Sequence, residues 1–286
     1  MQNDSKTAAT PPPLERFEKH WVTDLGCWYP GEKVIFRGKD LFDDLKEFAW
    51  MELLLFGITR REPTATQVQL FSGIWAICTS FPDPRLWNNR IGALAGTARS
   101  TVALGLSAGI ATSEAIVYGY RPLIAAMDFL CKTLSKIEQG EALDDILTIA
   151  LNKTNPGRPG SGKNRQVARV PGFGRPLTSS DERIKPLMAL AKKLQLHRGK
   201  HVSLAHNINH FFQSNGSPLR MNIASLMGAL AADQGLSARE YYHYVTLCFS
   251  IGILLCAIDA QQKPEGAFFP LSCARIKYQG PSQRHW

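Results

Sequence analysis

The chain has 286 residues, 44% of them hydrophobic and 20% charged, with a formal net charge of +9. That composition is ordinary for a soluble globular protein of one or two domains with a large core. The positive balance favours anionic partners. The absence of a Lys/Arg run, a zinc finger or an RNA-binding signature argues against nucleic acid. The first fifteen residues carry no apolar core of a signal peptide and are expected to be disordered. The longest apolar run, Tyr244–Ile258, has 15 residues, too short to span a bilayer, so no membrane is expected. Six scattered cysteines (Cys27, Cys78, Cys131, Cys248, Cys256 and Cys273) form no C-x-x-C pair. They read as reduced core thiols of a cytoplasmic protein.

Taken in order, "EKVIFRGKDLFDDL" predicts a short strand, a turn and the start of a helix. "FAWMELLLFGI" predicts a buried helix ending near Gly57. Thr64 and Gln67 stand at capping-box spacing, and Val68, Phe71, Ile74 and Trp75 recur at helical intervals. "ALAGTARSTVALGLSAGIATSEAIVYG" is rich in Ala, Gly and Ser, which suits helices in close contact. "PLIAAMDFLCKTLSKI" reads as another helix. Ser180 is the expected cap of the helix over "SSDERIKPLMALAKKLQL", with acids in its first turn. Ser237 and Glu240 form a second capping box before a long helix expected over about 238–260. The fold class is all-α, without internal repeats.

Three chemical signals fail in this context. Gly105 to Gly109, "GLSAG", matches a serine-nucleophile pattern but lies in a helical run, whereas that motif needs a strand-to-helix elbow. The spacing of His206 and His210 could hold a metal, but no third ligand is placed, and both lie opposite the apolar face that His201 joins. Gly157, Gly162 and Lys163 nearly spell a nucleotide phosphate loop, but Asn164 replaces the Ser or Thr that holds Mg²⁺. The preceding "LDDILTIALNKT" looks helical, where that motif needs a strand.

The order of motifs resembles the citrate synthase and citryl-CoA lyase family. "VIFRGKDLFDDL", "FAWMELLLFGITRREPTATQVQLF", "LSAGIAT", "VPGFGRPLTSSDER", "MNIASLMG" and "CARIKYQGP" are each similar to a family segment, and together cover roughly residues 30–281. The resemblance implies a two-domain helical dimer, with a large domain over 16–118 plus 231–286 and a small one over 119–230. It also implies Claisen-type chemistry on a CoA thioester, run by two histidines and an aspartate and supported by carboxylate-binding arginines.

Position by position, most of those groups are missing. The family's aspartate falls on Ala224, and its two better-placed histidines fall on Arg175 and near Gly119. The region of the ketone-polarising histidine falls near "FPDPRLWNNR". Two arginines fall on Phe249 and Cys273. Arg183, Arg275 and the glycine loop Pro171, Gly172, Phe173 and Gly174 match the pattern. By resemblance the loop would wrap the adenine of CoA, with Arg158, Lys163, Arg165 and Arg169 meeting its phosphates; a plain basic surface loop is the alternative. Arg183 would read a ligand carboxylate, or pair with Asp181, Glu182 or another nearby acid.

Losing general acids and bases costs about 10²–10⁴ in rate for one group, so citrate synthase activity is not expected. Two readings stand. One is an acyl-CoA C–C bond-forming or bond-cleaving enzyme with a rebuilt site, drawing on Asp83, Arg85, Tyr120, Arg121 and Arg175. The other is a non-catalytic paralogue that binds acyl-CoA or pairs with an active subunit. CoA or acyl-CoA is the expected ligand, with no permanently bound cofactor or metal, and the chain is expected to be a homodimer or a heteromer with a related subunit.

Overall fold

The computed structural model describes residues 22–78, 80–152, 170–175, 180–268 and 275–281. The expectations for residues 1–15, the near phosphate loop, Arg158, Lys163, Arg165, Arg169 and Cys273 lie outside these residues. The chain divides into two compact units, Met1–Glu62 and Pro63–Trp286.

The first unit holds a three-stranded antiparallel sheet of β1 (Gly26–Tyr29), β2 (Lys33–Phe36) and β3 (Lys39–Asp40), followed by α1 (Trp50–Thr59). The expected strand and turn are β2 and the Arg37–Gly38 turn into β3; both turn residues have positive φ, 52° and 84°. The expected helix start does not form. Asp40 Oδ1 accepts from the Phe42 and Asp43 N–H groups, and Asp44 Oδ2 accepts from Asp40 N–H. These side chains take backbone donors that a helix would need, so residues 41–47 form turns instead. In α1, Met51, Leu55 and Phe56 are buried, and the Phe56 ring packs on Phe36 and Phe48. The helix runs two residues past Gly57, and Arg60 ends it in the left-handed region at φ 62°.

The second unit is helical: α2 (Ala65–Cys78), α3 (Trp87–Thr97), α4 (Val102–Thr112), α5 (Tyr120–Glu138), α6 (Leu143–Asn152), α7 (Ile184–Lys193), α8 (Lys200–Ser214), α9 (Ile223–Asp233), α10 (Ala238–Thr246) and α11 (Ser250–Gln261). Both expected capping boxes form. Thr64 and Gln67 exchange bonds of 2.9 and 3.2 Å, and Ser237 and Glu240 exchange bonds of 2.7 and 3.2 Å. Helix α9 is the centre of the core: every residue from Ile223 to Ala231 is buried. The serine of "GLSAG" lies inside α4, where its hydroxyl donates to Ala103 O.

The Ala/Gly-rich helices do pack closely. A Cβ on Gly92 or Gly96 of α3 would sit 2.3 Å from the carbonyl of Ile253 or Ala257 on α11. One on Gly109 of α4 would sit 2.6 Å from Ile253 Cγ2. Arg99 then closes the end of α11, donating to Gln261 O and Lys263 O at 2.7 Å each.

Three further expectations change. The long helix over 238–260 is broken at Leu247–Phe249 into α10 and α11. The break turns carbonyls sideways to other partners. Trp75 Nε1 donates to Leu247 O, Ser80 N–H to Cys248 O, and the Tyr120 hydroxyl to Thr246 O. Ser180 does not cap α7, which starts later with Arg183 at the cap position, because Asp181 takes the local N–H instead. Cys27 is exposed rather than core, while Cys78, Cys248 and Cys256 are buried. Ala238–Gln261 is long and apolar enough to cross a bilayer by composition, with mean hydropathy 1.7, and half of that window is buried within the protein.

Replacing Gly92 by Ala gains helix propensity, worth about 0.8–1 kcal/mol. It also drives a methyl into the Ile253 carbonyl, and overpacking costs about 1–3 kcal/mol. Gly92→Ala is expected to be net destabilising, lowering the urea midpoint with an unchanged slope. A raised midpoint would show that α3 and α11 separate at little cost.

Candidate functional site

The site is built on the glycine loop. Gly172 and Gly174 have φ of 83° and 89°, the left-handed region that glycine enters without strain. This conformation lets Phe173 form an antiparallel bridge with Met221. Gly174 N–H donates to Arg220 O at 2.6 Å, Asn222 N–H to Gly172 O at 3.0 Å, and Asn222 Nδ2 to Gly174 O at 2.8 Å. Asn222 is also the N-cap of α9, its Oδ1 accepting from Ala224 N–H. Phe173 anchors the loop from below, its ring 5.3 Å from that of Phe212. A Cβ on Gly172 would meet Ser225 at 2.8 Å, so loop and helix terminus lie in direct contact.

Asp181 ties the arginines to the same helix end. Its fully buried carboxylate accepts from Ile223 N–H at 2.9 Å, at the first position of α9, where the helix dipole favours an anion. Arg183 Nε and Nη2 clamp its two oxygens at 2.9 Å each, the bidentate geometry of a strong charge-assisted pair. Arg175 Nη1 lies 3.7 Å from Asp181 and donates to Ser180 O and to the exposed Glu182. Burial pushes the Asp181 carboxyl up, but the Arg183 hydrogen bond and charge and the two backbone N–H groups outweigh it, holding the group below the usual carboxylate range.

Tyr118 lies within the field of both arginines. Its ring is held edge-on by Trp87 at 6.0 Å and Phe249 at 5.8 Å, and its carbonyl accepts from Trp87 Nε1. Burial raises its phenol above the ordinary value, opposed by the Ser80 hydroxyl and then by the charges of Arg183 and Arg175. At neutral pH Tyr118 is therefore a neutral hydroxyl, a hydrogen-bond donor rather than a base. Cys78 lies in the same field, and burial pushes its thiol up to about 12, so it stays un-ionised.

The structure brings together some of the residues singled out in the sequence. Gly172, Phe173, Gly174, Arg175, Arg183 and Ala224 meet at the start of α9, Pro171 leads into the loop, and Gly119 follows Tyr118. Gly119 is extended, and a Cβ there would lie 2.1 Å from Ser113 O, so the position is closed to a side chain. Arg183 pairs with Asp181, one of the alternatives the sequence left open. The other replacement groups stand apart: Asp83 pairs with Arg85, Arg121 with Glu114, and the Tyr120 hydroxyl is committed to Thr246 O. Tyr118, Ser80 and Asn222 were not visible as site residues, because their roles come from chain crossings rather than from any local motif. Among the described residues no group of three or more His, Cys, Asp or Glu could hold a metal. A cavity of about 230 Å³ lies elsewhere, lined by Pro82, Pro84, Leu255, Cys256 and Phe268 among others, and contains none of these site residues.

Asp181→Asn should destabilise at neutral pH by the lower part of the about 3–5 kcal/mol seen when a buried pair loses one partner, since Arg183 keeps some solvent access. Because the folded-state pKa of Asp181 is depressed, its stabilisation is present above the unfolded value of about 3.9 and is lost as pH falls through the depressed folded value. Denaturant unfolding of parent and variant should differ at pH 7 and converge in acid. A gap independent of pH would show that the charge of Asp181 does not carry the effect.

The sequence matches no family model and no curated protein. Solved structures do match. Citryl-CoA lyase from Hydrogenobacter thermophilus superposes with a TM-score of 0.75 at 17% identity, covering 93% of this chain and 97% of the other. ATP citrate lyase of Methanosaeta concilii in complex with (3S)-citryl-CoA gives 0.67 at 15% identity, over 99% of this chain and 47% of the other. Citrate synthase from Thermoplasma acidophilum, with carboxymethyl coenzyme A and oxaloacetate, gives 0.59 at 18%, over 84% and 59%. The chain therefore has the helical fold shared by citryl-CoA lyase, ATP citrate lyase and citrate synthase.

Proposed function

We propose that the protein binds a CoA thioester and forms or cleaves a C–C bond on it with a site that differs from that of citrate synthase. The observation that carries this reading is the glycine loop clamped to the start of α9 with Arg175 and Arg183 beside it. Solved structures of this fold hold coenzyme A, citryl-CoA or carboxymethyl coenzyme A. In this reading Pro171, Gly172, Phe173 and Gly174 line the CoA site, Lys163 and Arg165 meet its phosphates, and Arg175 and Arg183 face the acyl end. The same reading would assign a large domain to 16–118 plus 231–286 and a small one to 119–230.

One observation favours a non-catalytic reading of the same pocket. Gly119 has no room for a side chain and Ala224 has no ionisable group, so two positions where acid–base groups were expected from the resemblance are inert. The protein would then bind acyl-CoA without turning it over, or support an active subunit.

We further propose a homodimer, or a heteromer with a related subunit, formed through α4. That helix carries no charged residue, yet Ala103, Leu104, Ser107, Ala108, Ala111 and Thr112 are exposed, and Leu255 and Ile258 of α11 are exposed as well. Such an uncharged surface marks an interface.

Calorimetry with CoA should show binding to the parent and at least a tenfold loss in Gly174→Val, whose backbone cannot keep φ near 89° without strain. Equal binding by both proteins would remove the loop from the CoA site. Acetyl-CoA and oxaloacetate together should release no CoA above background, and clear turnover would mean that other residues supply the acid and base. Sedimentation should show a dimer that Leu104→Asp converts to monomer; a parent monomer would defeat the interface.

A further inference from the structure

The cavity of about 230 Å³ beside α3 and α11 has no part in the reading above, since neither the glycine loop nor its arginines line it. Its floor is apolar. Ala93 of α3 and Cys256 and Ala260 of α11 are buried against one another, and Phe268 packs on them. The two helices are in backbone contact at Gly92 and Gly96, and the short side chains beside those contacts leave space unfilled. Pro82 and Pro84 close another side. Burial raises the Cys256 thiol above its ordinary range, so it stays un-ionised and adds no charge to the floor. An apolar cavity of about 150 Å³ accepts benzene, so this one has room for an aromatic ring and part of a linking chain.

The rim is different. Asp259, in the last turn of α11, and Lys263, just past its end, are the charged residues that line the cavity, and they pair with each other. Both side chains are more than half exposed, so the pair is weak and opens at little cost. The other charges around it are matched already: Asp83, whose field reaches Cys256, is clamped by Arg85, and Glu265 pairs with Arg99. The rim therefore offers one anion and one cation with no surplus. Lys263 stands on a fixed backbone, its carbonyl accepting from Arg99 Nη2 at 2.7 Å and its N–H donating to Ala260 O at 3.3 Å. Thr97 also lines the cavity and is 2% exposed. Its hydroxyl accepts from Phe268 N–H at 3.4 Å and donates to no described residue. A buried hydroxyl proton without an acceptor favours a ligand that supplies one.

We propose that this cavity binds a free α-amino acid with a large apolar side chain. The side chain lies against Ala93, Cys256 and Phe268, the ammonium meets Asp259, and the carboxylate meets Lys263 and the Thr97 hydroxyl. A zwitterion exchanges one ion pair, Asp259–Lys263, for two. A ligand with a single charge forms one pair while breaking one, and gains nothing at the rim. The inference stands whether or not the protein binds CoA.

The test titrates L-phenylalanine into the intact protein by calorimetry, beside three molecules that each lack one feature. Phenylpropionate lacks the ammonium, phenethylamine lacks the carboxylate and L-alanine lacks the ring. L-Phenylalanine should bind roughly tenfold tighter than each. Asp259→Asn should abolish the advantage over phenylpropionate, and Lys263→Gln the advantage over phenethylamine; both changes fall at exposed positions that tolerate them. Ala267→Trp, at an exposed position on the cavity wall, should fill the space and remove binding. Phenylpropionate or phenethylamine binding the parent as tightly as L-phenylalanine overturns the proposal. So does an advantage that survives in Asp259→Asn or Lys263→Gln, L-phenylalanine binding that persists in Ala267→Trp, or no binding of L-phenylalanine at all.

Discussion

A single buried carboxylate organises the site. Asp181 accepts from the first turn of α9, from the backbone of Arg183 and from the Nε and Nη2 groups along one edge of its guanidinium, and it lies close to Arg175. Without it, two guanidiniums would repel one another at the end of a helix whose dipole also disfavours cations. With it, the same positive helix terminus becomes a place where arginines can stand. The glycine loop depends on that terminus in turn, because Asn222, its main-chain partner, is the cap of α9. Loop, arginines and helix therefore form one cooperative unit, and removing any member exposes unsatisfied groups in the others.

How much of this was legible in the sequence depends on the range of the interaction. The two capping boxes were readable because all their partners lie within three residues. The close packing of α3 and α4 was readable because its cause, the absence of side chains at positions such as Gly96 and Gly109, is compositional; that α11 is the partner was not. The Arg183–Asp181 pair was readable as an alternative because the two residues stand two apart. The arrangement around Tyr118 was not. Its ring is held by Trp87 and Phe249, 31 and 131 positions away, and no local pattern announces such a crossing. The helix expected to start near Leu41 failed for the opposite reason: strong local bonds from Asp40 and Asp44 overrode the apolar pattern.

The resemblance in motif order and the fold agree, while the chemistry at individual positions departs. Gly119 shows how firmly such a departure can be built in. The chain passes so close to Ser113 there that restoring a side chain would require moving the start of α5, not merely changing one residue. The aromatic chain from Trp87 through Tyr118 and Phe249 to Tyr120 and Tyr242 fills the neighbouring space with edge-packed rings. Rings packed in this way resist the return of polar groups, since each makes contacts that a charged replacement would lose.

The break between α10 and α11 carries a different lesson. Its carbonyls at Thr246, Leu247 and Cys248 receive donors from three separate parts of the second unit. A carbonyl is supplied by every amino acid, so these three positions can change identity while the ties survive. The selective burden moves to the donors: the Trp75 indole and the Tyr120 hydroxyl must be kept, whereas Ser80 gives only a backbone N–H. A junction held by main-chain acceptors lets a fold persist while its sequence drifts far. It also concentrates fragility at two side chains that sit nowhere near each other along the chain.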